Sequence, residues 1–177
     1  MIPTWGLAFN PSVARFARLL DDQGLGHQFS WMGNLACEIA PVLQLAHSQK
    51  YLTLLQGIQE TAAKTVRDPD TPLNPGTITE AQYMVQAAMS AAQCTWEGKQ
   101  TTLVLGGRFH HAQRSREAGS CILNGLAVAA LTLLESHRVE RIAILDTDAH
   151  AGDGTAEILV EEPRVLKISI HQDSRTL

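Results

Sequence analysis

Aromatic side chains are scarce in this sequence: Phe, Trp and Tyr together make up 5% of its 177 residues. A core of stacked rings is excluded, so the apolar content comes from Ala, Leu, Val and Ile, the mixture of helices packed on a sheet. Cysteine is nearly absent too. Cys37, Cys94 and Cys121 stand far apart with no Cys-x-x-Cys pair, which excludes a disulfide framework and fits thiols in a reducing compartment, the cytoplasm by default. Charged residues, at 18%, fall below the usual share of roughly 25%. With a net charge of -4 and a pI near 5.9, the chain lacks the clustered Lys and Arg that phosphate contacts demand, and no nucleic-acid partner is expected. No apolar run approaches the roughly 20 residues needed to span a bilayer, and the start lacks a charged segment followed by a long apolar one. The chain therefore reads as soluble and unexported, without a membrane partner. Gly24-x-Gly26 and Gly152-x-Gly154 continue into no phosphate-loop fingerprint, and there is no Gly-x-Ser-x-Gly elbow.

What is present is 45% hydrophobic residues, in a chain long enough to bury roughly 70% of its unfolded surface. A single domain over residues 1–177 is the simplest organisation. Trp5 to Phe9 and His27 to Trp31 read as short strands, with a helix over Pro11 to Leu20 between them. Ile39 to Glu60 carries helical spacing broken by polar His47 to Lys50, so two helices with a turn are predicted. Pro69, Pro72 and Pro75 forbid a helix between Asp68 and Gly76. A helix over Thr79 to Trp96 opens on the capping-box pattern Thr79-x-x-Gln82. The second half alternates: strand Thr101 to Leu105, helix Ile122 to Ser136, strand Arg141 to Leu145, helix from Thr155 to Val160, strand Arg164 to Ile170. Such alternation implies an α/β fold, a three-layer α/β/α sandwich around a mainly parallel sheet of about five strands. Sites in such sheets lie at the carboxyl ends of the strands.

Two clusters stand there. Gly106-Gly107-Arg108-Phe109-His110-His111 follows one predicted strand, and Asp146-Thr147-Asp148-Ala149-His150-Ala151-Gly152-Asp153-Gly154 follows the next. Asp148 and His150 are two apart, so at an extended strand end they share a side and can present a carboxylate oxygen and an imidazole nitrogen to one ion; Asp146 continues that face. That donor mixture suits zinc better than calcium or magnesium. A strand-end turn with capping carboxylates accounts for the second segment equally well when it is taken alone. The coincidence of both clusters favours a functional site. His27, His47 and His137 are assigned no role.

At these residues the sequence resembles the histone deacetylase family, a branch of the arginase/deacetylase superfamily that includes acetylpolyamine hydrolases. Gly106-Gly107-Arg108-Phe109-His110-His111-Ala112 is similar to the family's glycine-glycine-x-histidine-histidine-alanine stretch, with one extra residue before the histidines. Glu117-Ala118-Gly119-Ser120-Cys121 leading to Asn124, the Asp146 to Gly154 segment, and Ser169-Ile170-His171 resemble the segments that follow. The resemblance implies a zinc-dependent amidohydrolase that removes acetyl groups from acetyl-lysine or acetylpolyamine-type substrates. Asp148 and His150 would be two zinc ligands. His111 would be the general base, tuned by Asp153, and His110 its electrostatic partner, oriented by Asp146. Gly119 would line the acyl channel. Asp146 and Asp148, backbone carbonyls around His150 and Ile170, and the Ser169 hydroxyl would resemble the family's potassium site. Cys121 matches a structural position.

The same resemblance sets the departures. The family's third zinc ligand, an aspartate, and its oxyanion-stabilising tyrosine lie beyond Leu177, so weak zinc binding by one chain alone is expected. Neither His171 nor Asp173 is expected to replace the ligand. Ser120 stands where an aromatic channel wall is usual, and Ala151 where a second histidine often follows. The family's sheet inserts two later strands between its third and fourth. In this chain those two are therefore expected either to pair directly, giving the flavodoxin-like order 2-1-3-4-5, or to be completed by a second copy in a homo-oligomer. The alternative function is a catalytically inactive truncated module acting in binding or assembly.

Overall fold

The computed structural model describes residues 11–28, 38–98 and 100–173. The strand expected at Trp5 to Phe9 and residues 29–31 of the second expected strand lie outside these, while His27 belongs to a single 3₁₀ turn at Gly26–Gln28. Helix α1 spans Pro11–Asp22. Residues 40–61 form two helices, α2 at Ala40–Ala46 and α3 at Gln49–Thr61, as the interrupted periodicity predicts. Ser48 separates them and caps α3, its hydroxyl accepting from the Tyr51 N–H.

Helix α4 runs from Pro75 to Gly98, four residues ahead of the expected start. Asn74 is the reason: its Oδ1 accepts from the N–H groups of Gly76 (2.9 Å) and Thr77 (3.1 Å), and Pro75 is well suited to the first helical position. The expected capping box does not form. Thr79 sits inside the helix, donating its hydroxyl to the Pro75 carbonyl at 2.7 Å, and the side chain of Gln82 engages Gln59 of α3. Helix α5, Gly125–Glu135, is capped by Asn124 and is apolar nearly all round, as befits the centre of the core. Leu43, Tyr51, Leu55, Ile78, Val85 and Val128 pack together there, with Ile158, Leu159 and Val165 joining from the C-terminal part.

Among the described residues the sheet has two strands where five were expected, β1 at Ile142–Asp146 and β2 at Val165–Ser169. They are parallel, in register from Ile142 opposite Val165 to Asp146 opposite Ser169. Helix α6, Asp153–Ile158, makes the crossover between them. The run Thr101 to Leu105 is not a strand and does not pair with β1, so neither direct pairing nor the order 2-1-3-4-5 is formed. β-branched residues favour extension, but a strand exists only where a neighbour accepts its ladder of hydrogen bonds. The sheet itself is one-sided. Ile142, Ile144 and Val165 pack on the helical core, whereas Leu145, Leu166 and Ile168 are 61%, 59% and 42% exposed.

Candidate functional site

Both histidines of the first cluster are fixed by carboxylates from the second. Nδ1 of His110 lies 2.9 Å from Asp146 Oδ2, and Nδ1 of His111 lies 2.6 Å from Asp153 Oδ1. The two rings are stacked obliquely, with centroids 4.0 Å apart. Each Nδ1 donates to its carboxylate, which leaves each Nε2 as the free ring nitrogen. Burial acts to raise the Asp153 carboxyl, but the hydrogen bond and charge of His111, with help from Gln113, outweigh it and hold the group below its ordinary value. Asp146 is shared: its other oxygen accepts from the Asp148 N–H at 3.1 Å, so the carboxylate that orients His110 also shapes the turn after β1.

The backbone around the dyad is clamped from behind. Thr155 N–H donates to the His110 carbonyl at 3.0 Å, and Asn124 Nδ2 donates to the Ala112 carbonyl at 3.2 Å and to the Thr155 hydroxyl at 3.0 Å. His47 completes the clamp: its Nδ1 donates to the Gln113 carbonyl (3.0 Å) and its Nε2 accepts from the Asn124 N–H (3.0 Å). Burial lowers the His47 pKa from 6.5 to about 4, which keeps it neutral, as this donor-acceptor pattern requires. Close approach is essential at Gly154, where a Cβ would overlap the carbonyl of His111. Ahead of the dyad, Gly106, Gly107 and Arg108 all take positive φ. Arg108, at +111°, stores strain of order 1–3 kcal/mol.

Asp148 and His150 stand at the rim. Asp148 Oδ1 accepts from the His150 N–H at 2.8 Å and lies 3.1 Å from His150 Nδ1. The backbone hydrogen bond from His150, then its side chain, lower the Asp148 pKa. Two donors each roughly 2.0–2.1 Å from a tetrahedral zinc would be about 3.3 Å apart, so this oxygen–nitrogen pair fits one edge of such a site. Asp148 Oδ1 also lies 3.9 Å from His110 Nε2, and the His150 ring meets the His111 ring edge-on at 5.8 Å. Among the described residues no third His, Cys, Asp or Glu joins them in a metal-holding group. His171 engages Ser169, Nδ1 to Oγ at 2.9 Å. Ser169 Oγ in turn accepts from the Gly152 N–H at 3.5 Å, and Ile170 N–H donates to the Asp146 carbonyl at 2.9 Å. The turn after β1 is thus tied to the end of β2, which brings Asp146, Ser169 and Ile170 together.

Gly119 lies against the dyad, in a left-handed conformation (φ +51°) that brings its Cα so close to the His111 imidazole that a Cβ would overlap the ring. The loop that carries it is anchored by Glu117, fully buried and paired through both oxygens with the guanidinium of Arg67. Arg67 also lies over the Tyr51 ring, 5.6 Å from its centroid. Cys121 is buried behind the loop, and that burial raises its thiol pKa, which is opposite to what a nucleophile needs. His27 and His137 are exposed surface residues. Sequence reasoning missed His47, Arg67, Asp68 and Thr71. The contacts that tie them to residues 113–124 span 49 to 77 residues, and the short motif around each carries no chemical signature.

The histone deacetylase domain profile matches residues 9–177. An acetylpolyamine amidohydrolase from Burkholderia pseudomallei is 36% identical over 120 residues, covering 67% of this chain and 35% of the relative. The acetoin utilization protein AcuC of Bacillus subtilis is 31% identical over 143 residues, covering 76% of this chain and 37% of the relative. The crystal structure of the Burkholderia pseudomallei acetylpolyamine aminohydrolase superposes with a TM-score of 0.77 at 26% identity, covering 93% of this chain and 55% of that one. The HDA15 HD domain shares the fold, with a TM-score of 0.78 at 23% identity over 90% of this chain and 45% of its own. The chain spans between 35% and 43% of the length of the first curated relatives it matches.

Proposed function

The chain belongs to the histone deacetylase family, and from that premise we propose that it carries the proton-handling half of a zinc-dependent amidohydrolase that removes acetyl groups from acetylated amines of the acetyl-lysine or acetylpolyamine type. The observation that supports this most strongly is the pair of His–Asp couples with stacked rings beside the Asp148–His150 edge. Asp148 and His150 would hold the zinc, with further donors from outside the described residues. Bound there, the metal would polarise the scissile carbonyl and acidify the attacking water.

The chain's own groups do the rest. Asp153 holds the Nδ1 proton of His111 and leaves Nε2 free to take the proton released by the attacking water and later return it to the leaving amine. His110, tied to Asp146, supplies a second fixed ring beside the developing charge. Gly119, with no side chain, lets its loop close on the His111 ring and would form that wall of the acyl channel. Asp146, Ser169 and Ile170 would form the potassium-like site that stiffens the strand ends. On the same reading the protein is cytoplasmic and a homo-oligomer, whose contacts would use the bare apolar face of β1 and β2.

The deciding experiment titrates the full chain with zinc at a pH where imidazole is neutral, alongside Asp148→Ala and His150→Ala, and then assays acetate release. Binding near one zinc per chain, lost in both variants, with chelator-sensitive hydrolysis, is the expected result. Binding that survives both substitutions, or zinc-loaded protein that releases no acetate, would reject the reading in favour of a non-catalytic module.

A further inference from the structure

Two loops distant in sequence are strapped together at the wall of the site. Asp68 Oδ2 accepts from the Gly119 N–H at 3.0 Å and from the Thr71 hydroxyl at 2.6 Å. The Thr71 oxygen accepts in turn from the Ser120 N–H at 2.7 Å, and the Ser120 hydroxyl donates to the Asp70 carbonyl at 3.0 Å. Thr71 is buried, and its loop is closed at the base by Thr65 and Leu73, which exchange both backbone hydrogen bonds at 2.9 and 2.8 Å. The strap therefore has a rigid side. On the other side stand two consecutive left-handed residues, Gly119 at φ +51° and Ser120 at φ +65°. A non-glycine residue in that region costs of order 1 kcal/mol and needs outside contacts to persist. Those contacts come from Asp68 and Thr71, and their consequence is felt at Gly119, whose backbone closes on the His111 imidazole.

We propose that Asp68 and Thr71 are positioning residues that hold Gly119 against His111 and thereby set the width of the acyl channel. The positioning claim stands on the geometry alone, and its consequence for substrate rests on the amidohydrolase reading. A carboxylate accepting from a backbone N–H makes a charge-assisted bond, stronger than a neutral one. Without it the 119–120 turn would swing outward to relieve its backbone strain. The space beside His111 would widen, and acyl chains longer than acetyl would be admitted.

The test uses the full chain with Asp68→Ala, Asp68→Asn, Thr71→Val and Thr71→Ser. Amide hydrogen exchange at Gly119 and Ser120, and the nuclear Overhauser contact between the Gly119 α-protons and the His111 ring, report the strap without any need for activity. Asp68→Ala and Thr71→Val are expected to speed exchange at these two amides at least tenfold and to weaken the contact, while exchange in α5 stays as in the parent. Thr71→Ser, which keeps the hydroxyl, should restore parental behaviour, and Asp68→Asn should fall between. In the zinc-loaded chain, the ratio of butyryl to acetyl hydrolysis should rise at least fivefold in Asp68→Ala and return in Thr71→Ser. Unchanged exchange and contact in Asp68→Ala and Thr71→Val would overturn the proposal, as would an active chain whose acyl ratio does not move. Absence of hydrolysis of either substrate counts against the amidohydrolase reading instead, and the strap then stands or falls on exchange and contact alone.

Discussion

The two halves of the site are built to different standards of rigidity. The His110 and His111 side chains are 15% and 19% exposed, whereas those of Asp148 and His150 are 51% and 58% exposed. Behind the histidines lies a buried polar network, His47, Asn124 and Thr155, in which each group meets a partner. Behind Asp148 and His150 lie their own turn, the tie from Asp146 and a backbone hydrogen bond from the exposed Gln172 to the Ala149 carbonyl (3.0 Å). On the proposed reading the histidines are a proton-transfer pair, which must be held in place before substrate arrives because its efficiency depends on distance and orientation. On the same reading Asp148 and His150 would be metal ligands, which an ion itself can organise because it contributes binding energy to the geometry it imposes. The contrast predicts that damage on the histidine side appears first in stability, and damage on the Asp148 side only in metal binding.

Asn124→Ala should break this contrast most severely. It removes the cap of α5 and leaves the Ala112 carbonyl and the Thr155 hydroxyl short of a buried partner, at a cost of about 4 kcal/mol. In a domain of this size the thermal midpoint should fall by about 10 °C. Calorimetry on variant and parent checks it, and a fall under about 3 °C would mean that the network is dispensable.

Acidification should act on the same network through His47. The folded imidazole has a pKa of about 4 against 6.5 for the unsupported group. Between these values the unfolded chain binds a proton that the folded chain refuses, so stability is complete above pH 6.5 and declines toward pH 4. The full loss from this group is about 3 kcal/mol. Urea denaturation between pH 7.5 and 4.5 measures it. His47→Gln, which keeps a donor and an acceptor, should start from lower stability at pH 7.5 and lose most of that slope.

His47 also marks where the sequence ceased to be readable. Helices α2 and α3 were legible because their apolar spacing repeats locally, and Asp146, Asp148, His150 and Asp153 stood out as candidates because one strand-end segment gathers them within eight residues. Helix α4 began early because Asn74, rather than Thr79, satisfies its first amides. The Thr101 to Leu105 run has the composition of a strand, but strand formation depends on a neighbour that composition does not announce. His47 and Asp68 act on groups 66 and 51 residues away, and nothing in the short segments around them encodes that pairing.

Asp153→Asn sharpens the comparison from the catalytic side. Its side chain is 53% exposed, so the loss of stability should stay near 1 kcal/mol or below. On the proposed reading His111 loses the carboxylate that holds its Nδ1 proton, and the rate of acetyl hydrolysis in the zinc-loaded chain should fall about 10- to 100-fold. Steady-state kinetics with a fixed substrate decide it. A variant as fast as the parent would remove Asp153 from the mechanism while leaving its structural bond to His111 intact.

Asp148→Asn should have the smallest effect on the fold. The carboxylate faces solvent, and its contacts are local: the His150 N–H and ring, with the His110 ring 3.9 Å away. An asparagine oxygen can still accept the backbone bond, so stability should change by no more than an exposed substitution allows, about 0.5 kcal/mol. Zinc affinity should nevertheless collapse, because a neutral amide oxygen replaces an anionic ligand. Calorimetry and zinc titration on the same sample separate the two effects. If the variant instead melts as early as Asn124→Ala, the Asp148–His150 turn is a structural support of the dyad, and the division between a preformed proton-handling side and an ion-organised side does not hold.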